Sequence, residues 1–197
     1  LKEVNKIKNS LKNYNKKIYI TYNYSGYPAI REIKEIINNN KFGKLLSFNF
    51  GMTQESFLRK QDKDQKVKKW RKVDGDIPNL FLDLGIHLYN LSYFLFNDNP
   101  ESVCANSLKF KNIISDSKMF LNYKSGIRGH FWISKTSLGK KNDLRIELYF
   151  EKCSILWSHD NLEYIYINDY EGKQTRIDRS VKSSIFNDSR YNRYRMG

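Results

Sequence analysis

Residues 126–158 read "GIRGHFWISKTSLGKKNDLRIELYFEKCSILWS". Three runs in this stretch, at 126–136, 144–150 and 153–158, are rich in aromatic and β-branched residues, which fit a pleated surface. The pieces between them are short and hold the turn-forming "LGKKND". The same pattern extends both ways. "SVCANSLKF" (102–110) and "SKMFLNY" (117–123) come before, "LEYIYIN" (162–168) and "KQTRIDR" (173–179) after, with "KSG", "SHDN" and "DYEG" in the connections. Short turns between successive strands imply a meander, hence a mostly antiparallel sheet.

Upstream the period changes. Leu1, Val4, Ile7 and Leu11 recur at helical spacing, and "KIYITYNY" (17–24) alternates like a strand. Ile30, Ile33, Ile36 and Ile37 mark one face of a helix that begins at Pro28, and Gly43 is the expected stop. "LLSFNFGMTQ" (45–54) reads as a strand, 55–76 as a long polar loop, and 78–96 as a buried helix. Helices followed by a run of strands predict an α+β fold: an open, mostly antiparallel sheet with helices packed on one face.

The chain has 197 residues, of which 40% are hydrophobic and 15% aromatic, enough for a real core. Asp83 and His87 interrupt the apolar run 80–96, so no membrane crossing is expected. The first residues lack the apolar segment of a signal peptide, and Cys104 and Cys153 stand alone. A reducing cytoplasm follows as the expectation. The net charge of +14 raises a second reading, a non-catalytic module that binds nucleic acid or an acidic polymer. Against it, the charge is dispersed, and the densest stretch, 59–72, contains two Asp and reads as a solvated loop. No aromatic RNA-binding strand or zinc-finger spacing is present, so nucleic acid is not the expected partner.

Within "FLDLGIHLYN" (81–90), Asp83 and His87 are four residues apart and project from one helix face. A carboxylate beside an imidazole can orient it and raise its basicity, and Gly85 between them would let a ligand approach the backbone. The alternative is a helix cap and a satisfied core histidine. Gln54, Trp70 and Arg71 flank the long loop and are candidates to line a sugar pocket. Lys135, at a strand end, is a candidate contact for an acidic sugar or a nucleotide-sugar phosphate, against a solvated default. His130 and His159 lack partners at ligand spacing, so no metal site is expected.

The order of these pieces resembles the Gfo/Idh/MocA family of nicotinamide-dependent oxidoreductases. The likeness rests on the helix leading to "KFGK" and a strand, the D-x-G-x-H helix, "WISKTSLGKKNDLRIELYFEKCSILW", and the closing "RYNRYRMG". It implies that residues 1–23 are the last helix and strand of a truncated Rossmann domain and that 24–197 form a substrate-binding and oligomerisation domain. It also implies NAD or NADP as cofactor, a sugar, nucleotide-sugar or cyclitol substrate oxidised at a secondary hydroxyl, and a homo-oligomer formed through the open sheet. In that scheme His87 is the general base and Asp83 orients it or binds an adjacent hydroxyl. Tyr24 is a candidate to touch substrate and Asn23 the nicotinamide, with strand-end core packing as the alternative for both. Both catalytic residues would line an open cleft, and the free sheet face would be apolar. The sequence departs from the family at its start, where no G-x-G-x-x-G follows a strand. The fragment alone is therefore expected to be inactive.

Overall fold

Eight strands form one sheet in the computed structural model, which describes residues 2–60, 71 and 73–178. They are β1 (Leu45–Thr53), β2 (Pro100–Phe110), β3 (Ile113–Tyr123), β4 (Arg128–Ser134), β5 (Asp143–Phe150), β6 (Cys153–Ser158), β7 (Ile165–Asp169) and β8 (Gln174–Ile177). Their spatial order is β2-β3-β4-β1-β5-β6-β7-β8. All neighbours are antiparallel except β1 and β4, which run parallel. Every run read as a strand from residue 45 onward forms one. Arg179 and the "RYNRYRMG" tail lie outside the described residues.

Local chemistry explains the hairpins. Between β2 and β3, Lys111 and Asn112 both take positive φ, 50° and 64°, the two-residue geometry that matches the twist of antiparallel strands. In β1 the side chains alternate: Phe48, Phe50 and Met52 are buried, while Ser47, Asn49 and Gly51 are half-buried on the other face. Helices α2 (Pro28–Asn38) and α3 (Ile86–Phe96) cover the apolar face with Ile30, Ile33, Leu88 and Leu91, all fully buried. Phe48 sits at the centre of this layer, its ring centroid 4.8 Å from Phe50 and 5.0 Å from Phe96. Gly129 of β4 makes room for it. A Cβ there would lie 2.6 Å from Phe48 Cγ, a rigid ring with nowhere to move. Gly129→Ala is expected to cost about 1–3 kcal/mol of stability in urea unfolding, as overpacking does.

Five expectations are corrected. Residues 78–96 are not one α-helix: a π-helical turn, Phe81–Gly85, precedes α3. At that turn a Cβ on Gly85 would lie 3.4 Å from Phe81 and 3.5 Å from Ile133, so the glycine sits where the helix presses on β4 and not on a ligand's approach. Residues 17–23 form no strand. Tyr19 and Ile20 are 77% and 78% exposed, because alternation buries nothing without a neighbouring strand, and none pairs with them among the described residues. The preceding helix α1 (Lys2–Ser10) likewise has no buried residue.

Helix α2 stops at Asn38, before Gly43. Asn40 takes the left-handed conformation after it, and Gly43 (φ 77°) serves the turn into β1 instead. Finally, the open face of the sheet is not apolar. It carries Lys118, Asn49, His130, Arg145 and Glu147, with Phe120 and Tyr149 among them. A concavity of about 240 Å³ lies there, lined by Gly51, Trp132 and Asp143 among others, and neither Asp83 nor His87 belongs to its wall.

Candidate active site

The parallel pair β1–β4 organises one end of the sheet. Thr53 pairs with Ser134, so both strands end together, and the next residues, Gln54 and Lys135, leave side by side. The Gln54 N–H donates to the Ser134 carbonyl at 2.8 Å. Strand β5 begins at this end, since Thr53 also pairs with Asp143, which places Asn142 beside Gln54. Strand β6 ends here too, with Ser158 opposite Arg145, and His159 follows it. Loops held by a rigid sheet end are a common place for a site.

The helical layer adds its groups to the same end. The π-turn and the start of α3 bring Asp83 and His87, and a short 3-10 turn, Tyr24–Gly26, brings Tyr24. Lys135 is only 2% exposed, not a solvated strand end. Its Nζ lies 2.8 Å from Asp83 Oδ2 and 2.9 Å from Asn79 Oδ1, and 5.4 Å from the Phe57 ring centroid. Burying an ammonium this deeply requires such partners. Arg71, half-exposed, approaches Asp83 Oδ1 at 3.3 Å, so one carboxylate holds two cations. Asp74 fixes the start of the helix: its Oδ1 accepts the Asn79 N–H at 2.9 Å and its Oδ2 the Ile114 N–H at 2.8 Å.

His87 stands apart from this pair. Its Nδ1 is buried and has no hydrogen-bond partner among the described residues, while the Tyr24 ring lies perpendicular to the imidazole, 5.0 Å between centroids. Burial holds the His87 pKa below the usual histidine value of 6.5, and the charge of Asp83 opposes that shift. The neutral, proton-accepting form is therefore favoured near neutrality. The Tyr24 hydroxyl accepts a hydrogen bond from Asn142 Nδ2 at 3.1 Å, and Asn142 Oδ1 accepts one from Gln54 Nε2 at 2.8 Å. His159 lies 6.0 Å from Tyr24, centroid to centroid.

The fold thus brings together Asp83, Lys135 and Arg71 in one cluster, and His87, Tyr24 and Gln54 in another, with Asp83 and His87 one helical turn apart. Asn23 is exposed at the start of the 3-10 turn, and Trp70 lies outside the described residues. Sequence reading missed Asn79 and Asn142, and Asn142 was hidden in "LGKKND", where Asn reads as a turn former. His130 lies on the opposite face, its Nδ1 2.7 Å from Asn49 Oδ1. Among the described residues no three His, Cys, Asp or Glu side chains group as a metal site would require. No described helix is long and apolar enough to cross a membrane.

Residues 30–156 match the family model described as the GFO/IDH/MocA C-terminal domain. Glucose-6-phosphate 3-dehydrogenase of Bacillus subtilis (strain 168) is 24% identical over 163 residues, 79% of this chain and 41% of that protein. An inositol dehydrogenase homolog from Azotobacter vinelandii, solved in complex with NADH and myo-inositol, has a TM-score of 0.82 at 15% identity, covering 100% of this chain and 51% of its own. Levoglucosan dehydrogenase, solved with NADH and levoglucosan, has a TM-score of 0.76 at 15% identity, covering 90% and 51%. The chain spans about half the length of these relatives or less. The likeness to the two solved structures concerns the fold: the same α+β layer and open sheet. The family model, matched over more than half the chain, carries the further conclusion that this chain belongs to the GFO/IDH/MocA family.

Proposed function

We propose that this chain is the substrate-side portion of an NAD- or NADP-dependent oxidoreductase that oxidises a secondary hydroxyl of a sugar, nucleotide sugar or cyclitol, or reduces the ketone. The observation that carries the reading is His87: an imidazole with a depressed pKa, beside a carboxylate and at the convergent end of β1, β4 and β5. The sequence contains no G-x-G-x-x-G, the fingerprint that cradles a pyrophosphate, so the dinucleotide's phosphates are assigned to another domain. In this reading residues 1–23 are the remnant of that domain, 24–197 form the substrate and oligomerisation domain, and Asn23 lies on the cofactor side. The nicotinamide, when bound, supplies the hydride acceptor.

The part left to this chain is the proton. His87 takes it from the substrate hydroxyl as the O–H bond breaks. Asp83, ion-paired with Lys135, opposes the loss of basicity of the imidazole through its negative charge, without a hydrogen bond to it. Tyr24, Gln54, Trp70, Arg71 and Lys135 are assigned to the substrate side, with Lys135 acting through Asp83. The open sheet face is assigned to a second copy of the chain, and the protein to the cytoplasm. Glucose 6-phosphate, myo-inositol and levoglucosan, each offered with NAD or NADP, form the assay panel for the full-length protein. Turnover of none of the three would count against the substrate class.

The pH profile tests the base. Because the imidazole must be neutral and its pKa is lowered, the acid limb of kcat/KM should break below pH 6.5. Asp83→Asn removes the charge that raises this pKa, so the break should move further down. A break above 6.5, or a shift upward in Asp83→Asn, would count against His87 as the base.

A further inference from the structure

A general base needs a fixed ring, and the usual device is a hydrogen bond from its second nitrogen to a carboxylate or carbonyl. Among the described residues that device is missing. His87 Nδ1 is buried without a partner, and the two Asp83 oxygens are directed to Lys135 and Arg71. Orientation of the imidazole therefore falls to packing, and among the described residues the aromatic ring against it is Tyr24, perpendicular at 5.0 Å.

Tyr24 sits on a 3-10 turn of three residues, too short to fix a side chain by itself. Its ring also touches Tyr27 at 5.7 Å, and its hydroxyl is held by Asn142 at 3.1 Å. The Asn142 amide bridges the two: its oxygen accepts from Gln54 Nε2 and its nitrogen donates to the Tyr24 hydroxyl. Gln54 is pinned in turn through its backbone. Its N–H donates to Ser134 at 2.8 Å, and its carbonyl accepts from the Ser137 N–H at 3.0 Å. A continuous chain of contacts thus runs from the ends of β1 and β4, through Gln54, Asn142 and Tyr24, to the imidazole.

We propose that Asn142 is a positioning residue, acting through the Tyr24 hydroxyl to hold the His87 ring in its proton-accepting orientation. The proposal rests on the assignment of His87 as the base. It requires neither Asn142 nor the Tyr24 hydroxyl to touch the reacting atoms. Asn142→Ala is the cleaner variant, since Asn142 is not assigned to the substrate. Tyr24→Phe keeps the ring in the core and cuts the same link from the other side.

The test uses the full-length protein carrying Tyr24→Phe, Asn142→Ala or both, each in the wild-type and the His87→Ala background. A misaligned base costs on the order of 10-fold or more in rate. Each single variant should therefore lower kcat about 10-fold, with the KM of Asn142→Ala staying within about 2-fold, and the double variant should have a kcat no lower than either single one. The acid limb of the pH profile should move up toward 6.5 as the loosened ring gains water. In the His87→Ala background, none of these changes should reduce turnover further. Unchanged kcat in both singles, or an added loss in the His87→Ala background, overturns the proposal while leaving His87 as the base. If His87→Ala itself turns over like wild type, the base assignment and the proposal fall together.

Discussion

Replacing Lys135 with Met is expected to destabilise the domain by about 3–5 kcal/mol, the usual cost of removing one partner from a buried ion pair. Methionine keeps most of the volume and the apolar stem, so packing against Phe57 changes little. What is lost is the ammonium that lies between Asp83 Oδ2 and Asn79 Oδ1. Asp83 would retain Arg71 at 3.3 Å, but that guanidinium is half-exposed and screened by water, a weaker partner than the enclosed Lys135. Removing both charges together, as Lys135→Met with Asp83→Leu, should recover a large part of the loss, because no unpaired charge stays buried. Urea unfolding of the three proteins measures both effects. A loss below about 1 kcal/mol in the single variant would mean that Asp83 is solvated and the pair is not structural.

Replacing His87 with Ala is expected to lower turnover of the full-length protein by about 100-fold or more, the usual contribution of a positioned acid or base. The fold should survive. His87 is only half-buried, and the atom removed from the interior, Nδ1, has no partner to leave behind. The lost contact with Tyr24 is worth about 0.5–1.5 kcal/mol, and the unsatisfied nitrogen that disappears offsets part of it. Lys135→Met and His87→Ala thus separate the two clusters of the site. The first acts mainly on stability and the second mainly on rate.

The strands were legible because their side chains repeat with period two, which one buried face imposes on each run. Their order was not. β1 enters between β4 and β5 from far upstream, and nothing in its own residues names those neighbours. The parallel pairing that aligns Gln54 with Lys135 was therefore invisible in the sequence, although both residues were candidates. The apolar run 78–96 has hydrophobic residues on all sides, so it carries no phase from which the π-turn at Phe81–Gly85 could be read. The alternating run at 17–23 misled for the opposite reason: its pattern fits a strand, but a strand needs a ladder partner.

The i, i+4 spacing put Asp83 and His87 about one turn apart, and the structure sets Asp83 in the π-helical turn and His87 in the α-helix that follows. The role given to Asp83 needed its partners, and these come from 52 and 12 residues away, as Lys135 and Arg71. Asn142 was illegible on the same ground. Turn residues and site residues use the same amino acids, and only contacts with Tyr24 and Gln54 distinguish them here.

Chemical rescue of the His87→Ala full-length protein by added imidazole tests the central claim most directly. If His87 carries the proton, free imidazole entering the space left by its ring should raise the residual rate in proportion to the concentration of the neutral base, with no effect on wild type. If the residual rate does not respond to imidazole, or if His87→Ala turns over as fast as wild type, His87 is a packed core histidine and the site lies elsewhere.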